Sequence, residues 1–187
     1  MVERIHAVVM ASVAAVAAVG VVGCASTGEN GPSARGPSAH GDVEAAIAQT
    51  LDAWHAAAAN GDSPAYFGLM TDDAVFLGTD ATERWPGTEF RAFAEPYFDG
   101  EEAWTYTPTE RWIETTTLDR GVVWFDELLH NDKYGTSRGA GVVVHENGRW
   151  KIAAYSLSFP IPNELAVDMT QQIKAFERNA VASEGTR

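Results

Sequence analysis

The sequence predicts an α+β domain with helices packed on one side of a curved antiparallel sheet. Two observations predict it. Between residues 42 and 98 apolar residues recur mainly at helical spacing, with one short β-type run among them, whereas from Trp104 onward the pattern turns to alternation rich in Thr, Trp, Val and Ile. In addition, Asn147-Gly148 separates the last two β runs, and this dipeptide is the strongest short hairpin signal. Helices grouped ahead of a run of hairpin-linked strands define the α+β class.

The first helix follows from Val43, Ile47, Leu51, Trp54 and Ala58, which share one face, with Asp42 as its expected N-cap and Asn60-Gly61-Asp62 as its stop. Ser63-Pro64 then reads as a cap before a first-turn proline, opening a short helix with Tyr66, Phe67, Leu69 and Met70. Ala74 to Leu77 is a short strand and Gly78 to Gly87 a loop. Thr88 caps a third helix whose buried face is Phe90, Phe93, Ala94 and Tyr97, and Pro96 should bend or shorten it. Four strands are expected next: Thr105–Thr117, Gly121–Leu129, Arg138–His145 and Trp150–Phe159. Pro108 marks the first of them as an edge or an interruption, because proline cannot donate to a ladder. Pro160 and Pro162 stop the last strand, and Asn163 to Asn179 is a weakly amphipathic segment fit for a C-terminal helix.

Ahead of the domain the chain reads as export machinery. Arg4 is followed by an Ala- and Val-rich stretch, Ile5 to Val22, that carries no charge. It ends in Val21-Val22-Gly23-Cys24, which resembles the lipobox of bacterial lipoproteins. That resemblance implies a signal peptide over residues 1–23 and lipidation of Cys24. Acyl chains attach a protein to a bilayer at about 0.8 kcal/mol per buried CH₂. Ala25 follows the cysteine, and by resemblance to Gram-negative sorting this permits the outer membrane. Residues 24–41 are rich in Gly, Ser and Pro, repeat GPSA and form a flexible tether. The expected location is the cell envelope, on the periplasmic or exterior side, with the domain at 42–166 and a helical or disordered tail at 167–187.

Composition narrows the partners. With 26 acidic against 13 basic residues the net charge is −13, which repels phosphate backbones and argues against nucleic acid. Hydrophobic residues make up 45% of the 187, enough for a core. Cys24 is the single cysteine, so neither an internal disulfide nor a free thiol nucleophile is expected. The five histidines form no metal-ligand pair, and there is no phosphate loop, dinucleotide fingerprint or Gly-x-Ser-x-Gly elbow. No metal and no cofactor are therefore expected.

Four blocks carry a family resemblance: TDDAVFLGTDATERWPGTEFRAFAEPYF (Thr71–Phe98), RGVVWFDELL (Arg120–Leu129), YGTSRGAGVVV (Tyr134–Val144) and RWKIAAYSLSFPIPNELA (Arg149–Ala166). They resemble the SnoaL-like family of the nuclear transport factor 2-like superfamily. The resemblance implies a cone-shaped, cystatin-like fold, in which the sheet wraps around the long first helix and leaves a pocket open at one end. Relatives include ketosteroid isomerases, scytalone dehydratases, polyketide cyclases and pure binding or assembly modules. The fold alone does not choose among them.

Candidate site residues fall in five places. The loop supplies Asp80, Glu83, Arg84 and Trp85, as acid or base or as a loop-stabilising network; the carboxylate that ketosteroid isomerases use falls here on Gly78. The first helix supplies Trp54 and, at the border of its apolar stripe, His55, a base suited to neutral pH. Glu127 and Arg138 lie on neighbouring strands and would form an ion pair if in register. Trp124 occupies the opposite face from Glu127, and alternation does not say which face is inside. Tyr155 offers a hydroxyl on the last strand. Gly139 and Gly141 point to a close approach or a bulge.

The expected function is binding of a small, largely apolar molecule in the pocket of an envelope lipoprotein. The alternatives are a cofactor-free acid–base enzyme (cyclase, dehydratase or hydrolase) and a dimeric assembly module joined through its sheet.

Overall fold

The computed structural model describes residues 39–98 and 104–184. The signal-peptide, Cys24 and most tether readings lie outside them. In chain order the elements are α1 (Ala39–Ala59), α2 (Ser63–Gly68), β1 (Met70–Leu77), β2 (Arg84–Pro86), α3 (Gly87–Phe98), β3 (Thr107–Glu114), a 3₁₀ turn (Thr115–Arg120), β4 (Val122–Asn131), β5 (Gly135–Glu146), β6 (Arg149–Ser158) and α4 (Ala166–Glu184).

The stripe on α1 is buried as its spacing requires: Ile47 and Leu51 fully, with Trp54 and Ala58 nearly so. The helix starts at Ala39, so Asp42 sits in the first turn and is not the cap. Its charge still favours that end of the helix dipole. Asp62, not Ser63, caps α2, accepting a hydrogen bond from the Ala65 amide at 3.0 Å. Ser63 instead donates to Glu95 at 2.7 Å. Met70 leaves the helix and begins β1, four residues earlier than the alternation indicates. It pairs with Ile152, and regular pairing resumes only at Val75, so the Thr71-Asp72-Asp73 segment hides the strand behind polar residues. Continuing past Pro96, α3 reaches Phe98 without being cut short. Its buried face is Phe90, Ala94 and Phe98, and Tyr97 stays 40% exposed.

The six strands are ordered β2-β1-β6-β5-β4-β3. All neighbours run antiparallel except β1 and β6, which are parallel and correct the all-antiparallel expectation. Parallel neighbours need a long crossover, and here the chain from α3 to β5 supplies it. Strand β2 lies within the expected Gly78–Gly87 loop, three residues that pair with the end of β1. At the other edge, β3 carries Pro108, and its register breaks between Pro108 and Glu110. That strand stops at Glu114, whose carboxylate accepts from the Thr116 amide and starts the 3₁₀ turn. Asn147 and Gly148 both have positive φ (52° and 77°), the signature of a type I′ hairpin joining β5 to β6.

Alternation along β4 decides the faces. Val123, Phe125, Glu127 and Leu129 are buried, whereas Trp124 is 49% exposed. The inner face closes on α1, α2 and α3 in one apolar cluster that includes Ile47, Leu51, Phe67, Phe90, Val143 and Ile152. Among the described residues, no helix is long and apolar enough to cross a membrane.

Candidate functional site

A buried glutamate lies at the centre of the inner face. Glu127 is fully buried, an expensive location for a charge unless every oxygen is bonded. Its Oε1 accepts from His55 Nε2 at 2.7 Å and from the Tyr155 hydroxyl at 3.0 Å. Oε2 accepts from Arg111 Nε at 2.8 Å. Arg111 also donates through Nη1 to Asp52 at 2.8 Å and to the Ala48 carbonyl at 3.2 Å, so the network joins α1, β3, β4 and β6. Burial by itself would push the Glu127 carboxyl up. The hydrogen bonds and charges of His55 and Arg111 outweigh that and hold it below its ordinary value. Glu127 is thus a carboxylate, and His55 Nε2 is the donor between them. Burial, and then the Glu127 charge, pushes the Tyr155 phenol well up, so it remains a proton donor.

Backbone geometry makes room for this cluster. Gly139 lies opposite both Glu127 and Leu157, and a Cβ there would collide with the Tyr155 hydroxyl. Gly141 is similar: a Cβ would strike the Ala154 carbonyl and approach the Phe125 ring to 2.9 Å. Both strand glycines therefore serve close approach, and the ladder shifts register just beyond them, between Val142 and Val143.

His55 and Tyr155 also line a cavity of about 680 Å³. Its walls are largely rings: Trp54, Tyr66, Phe76, Phe90, Phe93, Tyr97, Trp104 and Phe159. Trp54 stacks on Tyr66 with centroids 4.7 Å apart, and Phe76 stacks on Phe90 at 4.2 Å. Polar groups enter from Glu83, from Thr105 and Thr107 beside β3, and from the β4–β5 turn, His130 to Tyr134. Among the described residues no cluster of His, Cys, Asp or Glu is arranged to hold a metal ion.

The structure thus brings together Trp54, His55, Glu127 and Tyr155. It separates the rest. Arg138 is exposed and pairs across the ladder with Leu128, so the expected Glu127–Arg138 ion pair does not form; Arg111 takes that place. Trp124 points to the outer face. Asp80 is exposed and accepts from the Thr82 amide and hydroxyl, and these bonds hold its carboxyl below the ordinary value. Glu83 reaches the cavity wall but is tied to the Asp80 amide at 3.1 Å. Arg84 joins this loop only through its amide, which donates to the Thr82 carbonyl at 3.0 Å; its side chain is exposed and makes no ion pair among the described residues. Trp85 stacks on Phe93 behind the wall. Arg111 and Asp52 were not expected. Arg111 shares a strand face with Thr109 and Ile113, and nothing in that pattern marks it in the sequence.

A model of the SnoaL-like domain matches residues 47–162. The chain belongs to the SnoaL-like domain family. No curated protein matches it in sequence. Solved structures share the fold of this SnoaL-like domain. A nuclear transport factor 2-like protein of unknown function from Pseudomonas putida KT2440 is 16% identical, with a TM-score of 0.55 over 66% of this chain and 90% of the other. A cystatin-like domain of unknown function from Nostoc punctiforme is 15% identical, with a TM-score of 0.55 over 77% and 97%. A putative aromatic ring hydroxylase from Novosphingobium aromaticivorans is 20% identical, with a TM-score of 0.53 over 65% and 91%. At these identities the likeness is one of fold.

Proposed function

We propose that this chain is a lipid-anchored envelope protein whose SnoaL-like domain binds a small, largely apolar molecule. The observation that carries the binding reading is the ring-walled cavity of about 680 Å³. Its volume lies in the range of small-molecule sites, and its mix of apolar wall with few polar groups is the usual composition of one. The anchor reading rests on the apolar run to Val22 followed by Cys24. Native mass spectrometry of the full chain, extracted in mild detergent, tests the binding reading. A retained small-molecule mass that Trp54→Ala removes supports it. A bare protein that also fails to bind flat apolar probes contradicts it. Labelled palmitate incorporated in a bacterial host and lost in Cys24→Ala supports the anchor, and equal labelling of both chains contradicts it.

A second reading, self-assembly through the sheet, is favoured by the outer face. Trp112 and Trp124 are 48% and 49% exposed, and Val122 and Leu77 are 37% and 39% exposed. The proposed occupant is a second copy of the chain. A two-fold contact sets the same apolar patch against itself, so no second, complementary surface is needed.

A further inference from the structure

We propose that His55 is a general base at the cavity wall, held in one tautomer by Glu127, and that the domain removes a proton from the ring-sized apolar molecule it binds. This rests on the binding reading above. The two oxygens of Glu127 take three donors, from His55, Tyr155 and Arg111, so the carboxylate is occupied and is not itself the base. Accepting from Nε2 at 2.7 Å, it fixes the proton of a neutral imidazole on that nitrogen. The lone pair then lies on Nδ1, and among the described residues no hydrogen bond to Nδ1 is formed. His55 is buried to within 8% of its surface, and that remainder belongs to a residue lining the cavity.

This is the arrangement general-base catalysis needs: an imidazole oriented by a carboxylate that does not itself take the proton. When His55 accepts a proton at Nδ1, the positive ring stays paired with Glu127. Around it stand Glu127 of β4 and Tyr155 of β6, with Arg111 of β3 and Asp52 of α1 beyond Glu127, and Tyr66 of α2 on the cavity wall. Glu127 is a positioning residue, since it acts on the ligand only through His55; Tyr155, which also lines the cavity, donates to Glu127 and helps hold it.

The test uses a probe, 5-nitro-1,2-benzisoxazole, a flat bicyclic carbon acid. Its C3–H bond breaks to His55 Nδ1, the electron pair forms the C≡N bond, and the N–O bond breaks with its pair leaving on the phenolate oxygen. No oxidant or reductant is required, and the imidazolium returns its proton to water. With the full chain in detergent, binding is read from tryptophan fluorescence and turnover from phenolate absorbance. Saturable turnover is expected, falling about 10²-fold in His55→Gln, with probe affinity retained. Arg138→Gln, on the outer face, should turn over as the parent does. Glu127→Gln should shift the midpoint of the rate–pH profile, which a merely structural role would not do, and Glu127→Asp should recover part of it. A bound probe with equal rates in the parent and His55→Gln overturns the base and leaves the pocket standing. A probe that does not bind overturns both. Should His55→Gln not fold, nitrogen NMR of the parent decides: an Nε2–H tautomer for His55 supports the proposal, and an Nδ1–H tautomer overturns it.

Discussion

Glu127 ties together three side chains from three elements, His55 of α1, Arg111 of β3 and Tyr155 of β6. Replacing it with Gln removes the charge that pairs with Arg111, whose side chain is only 12% exposed. Breaking a buried pair from one side costs about 3–5 kcal/mol. Urea denaturation at neutral pH should show a loss of that size. Asp52, 66% exposed, contributes far less to Arg111, within about 1 kcal/mol. The Glu127 carboxyl is lower in the folded chain than in the unfolded one. Its contribution is complete above the unfolded value, about 4.3, and is lost as pH falls through that value toward the lower folded one. Glu127→Gln should therefore lose less stability than the parent on acidification through that window. The phenols act at the other end. Tyr155 is raised by burial and then by the Glu127 charge, and Tyr66 by burial, so both favour folding fully below about pH 10. That share is lost as pH rises beyond it. Tyr155→Phe should flatten the alkaline arm of a stability profile. Gly139→Ala tests the packing beside this cluster. The added methyl must displace a Tyr155 ring held between Trp54, Phe76 and Phe125, and overpacking of this kind costs about 1–3 kcal/mol. A thermal melt matching the parent would contradict it.

At the scale of elements, the β5–β6 hairpin rests on two left-handed residues. A Cβ on Gly148 meets open space, so Gly148→Ala pays only for its φ of 77°, about 1–2 kcal/mol, and denaturant midpoints check it. This turn was legible in the sequence because Asn-Gly states its own geometry. The α1 stripe, the four long strands and the C-terminal helix were legible for a similar reason, since each repeats a period over many residues. Two features were not. Thr71 to Asp73 breaks the alternation of β1 where its pairing with β6 is irregular, so nothing periodic marked the strand. The partner of Glu127 depended on register. Arg138 sits one residue from the position opposite Glu127, and one residue along a strand is the other face of the sheet. Arg111 came into place only through the β3–β4 ladder, whose register breaks near Pro108 and cannot be counted from a turn. His55 and Tyr155 stand out in the sequence because their residue types can carry acid–base chemistry wherever the fold puts them. Their union at one carboxylate needed the structure.

At the scale of the whole molecule, charge and the outer sheet face act against each other. Each chain carries a net charge of −13, so two copies repel at long range. An assembly through Trp112 and Trp124 has to be held by burying apolar area against that repulsion. Two consequences distinguish it from an assembly held by complementary charges. Added salt screens the repulsion, with the Debye length falling from about 10 Å at 0.1 M to about 3 Å at 1 M, so the dimer should tighten as salt rises. Pairs of opposite charge would instead be screened and the dimer would weaken. Trp124→Glu places a carboxylate in the patch on both sides of the two-fold, where like charges face each other. Sedimentation of the full chain in detergent, with the micelle contribution matched out, should show a dimer strengthened by salt and dissociated by Trp124→Glu. Glu127, on the inner face, is remote from this contact, so Trp124→Glu should leave probe binding in the cavity unchanged. A monomer at every salt concentration would remove the assembly reading and leave pocket binding as the function of the fold.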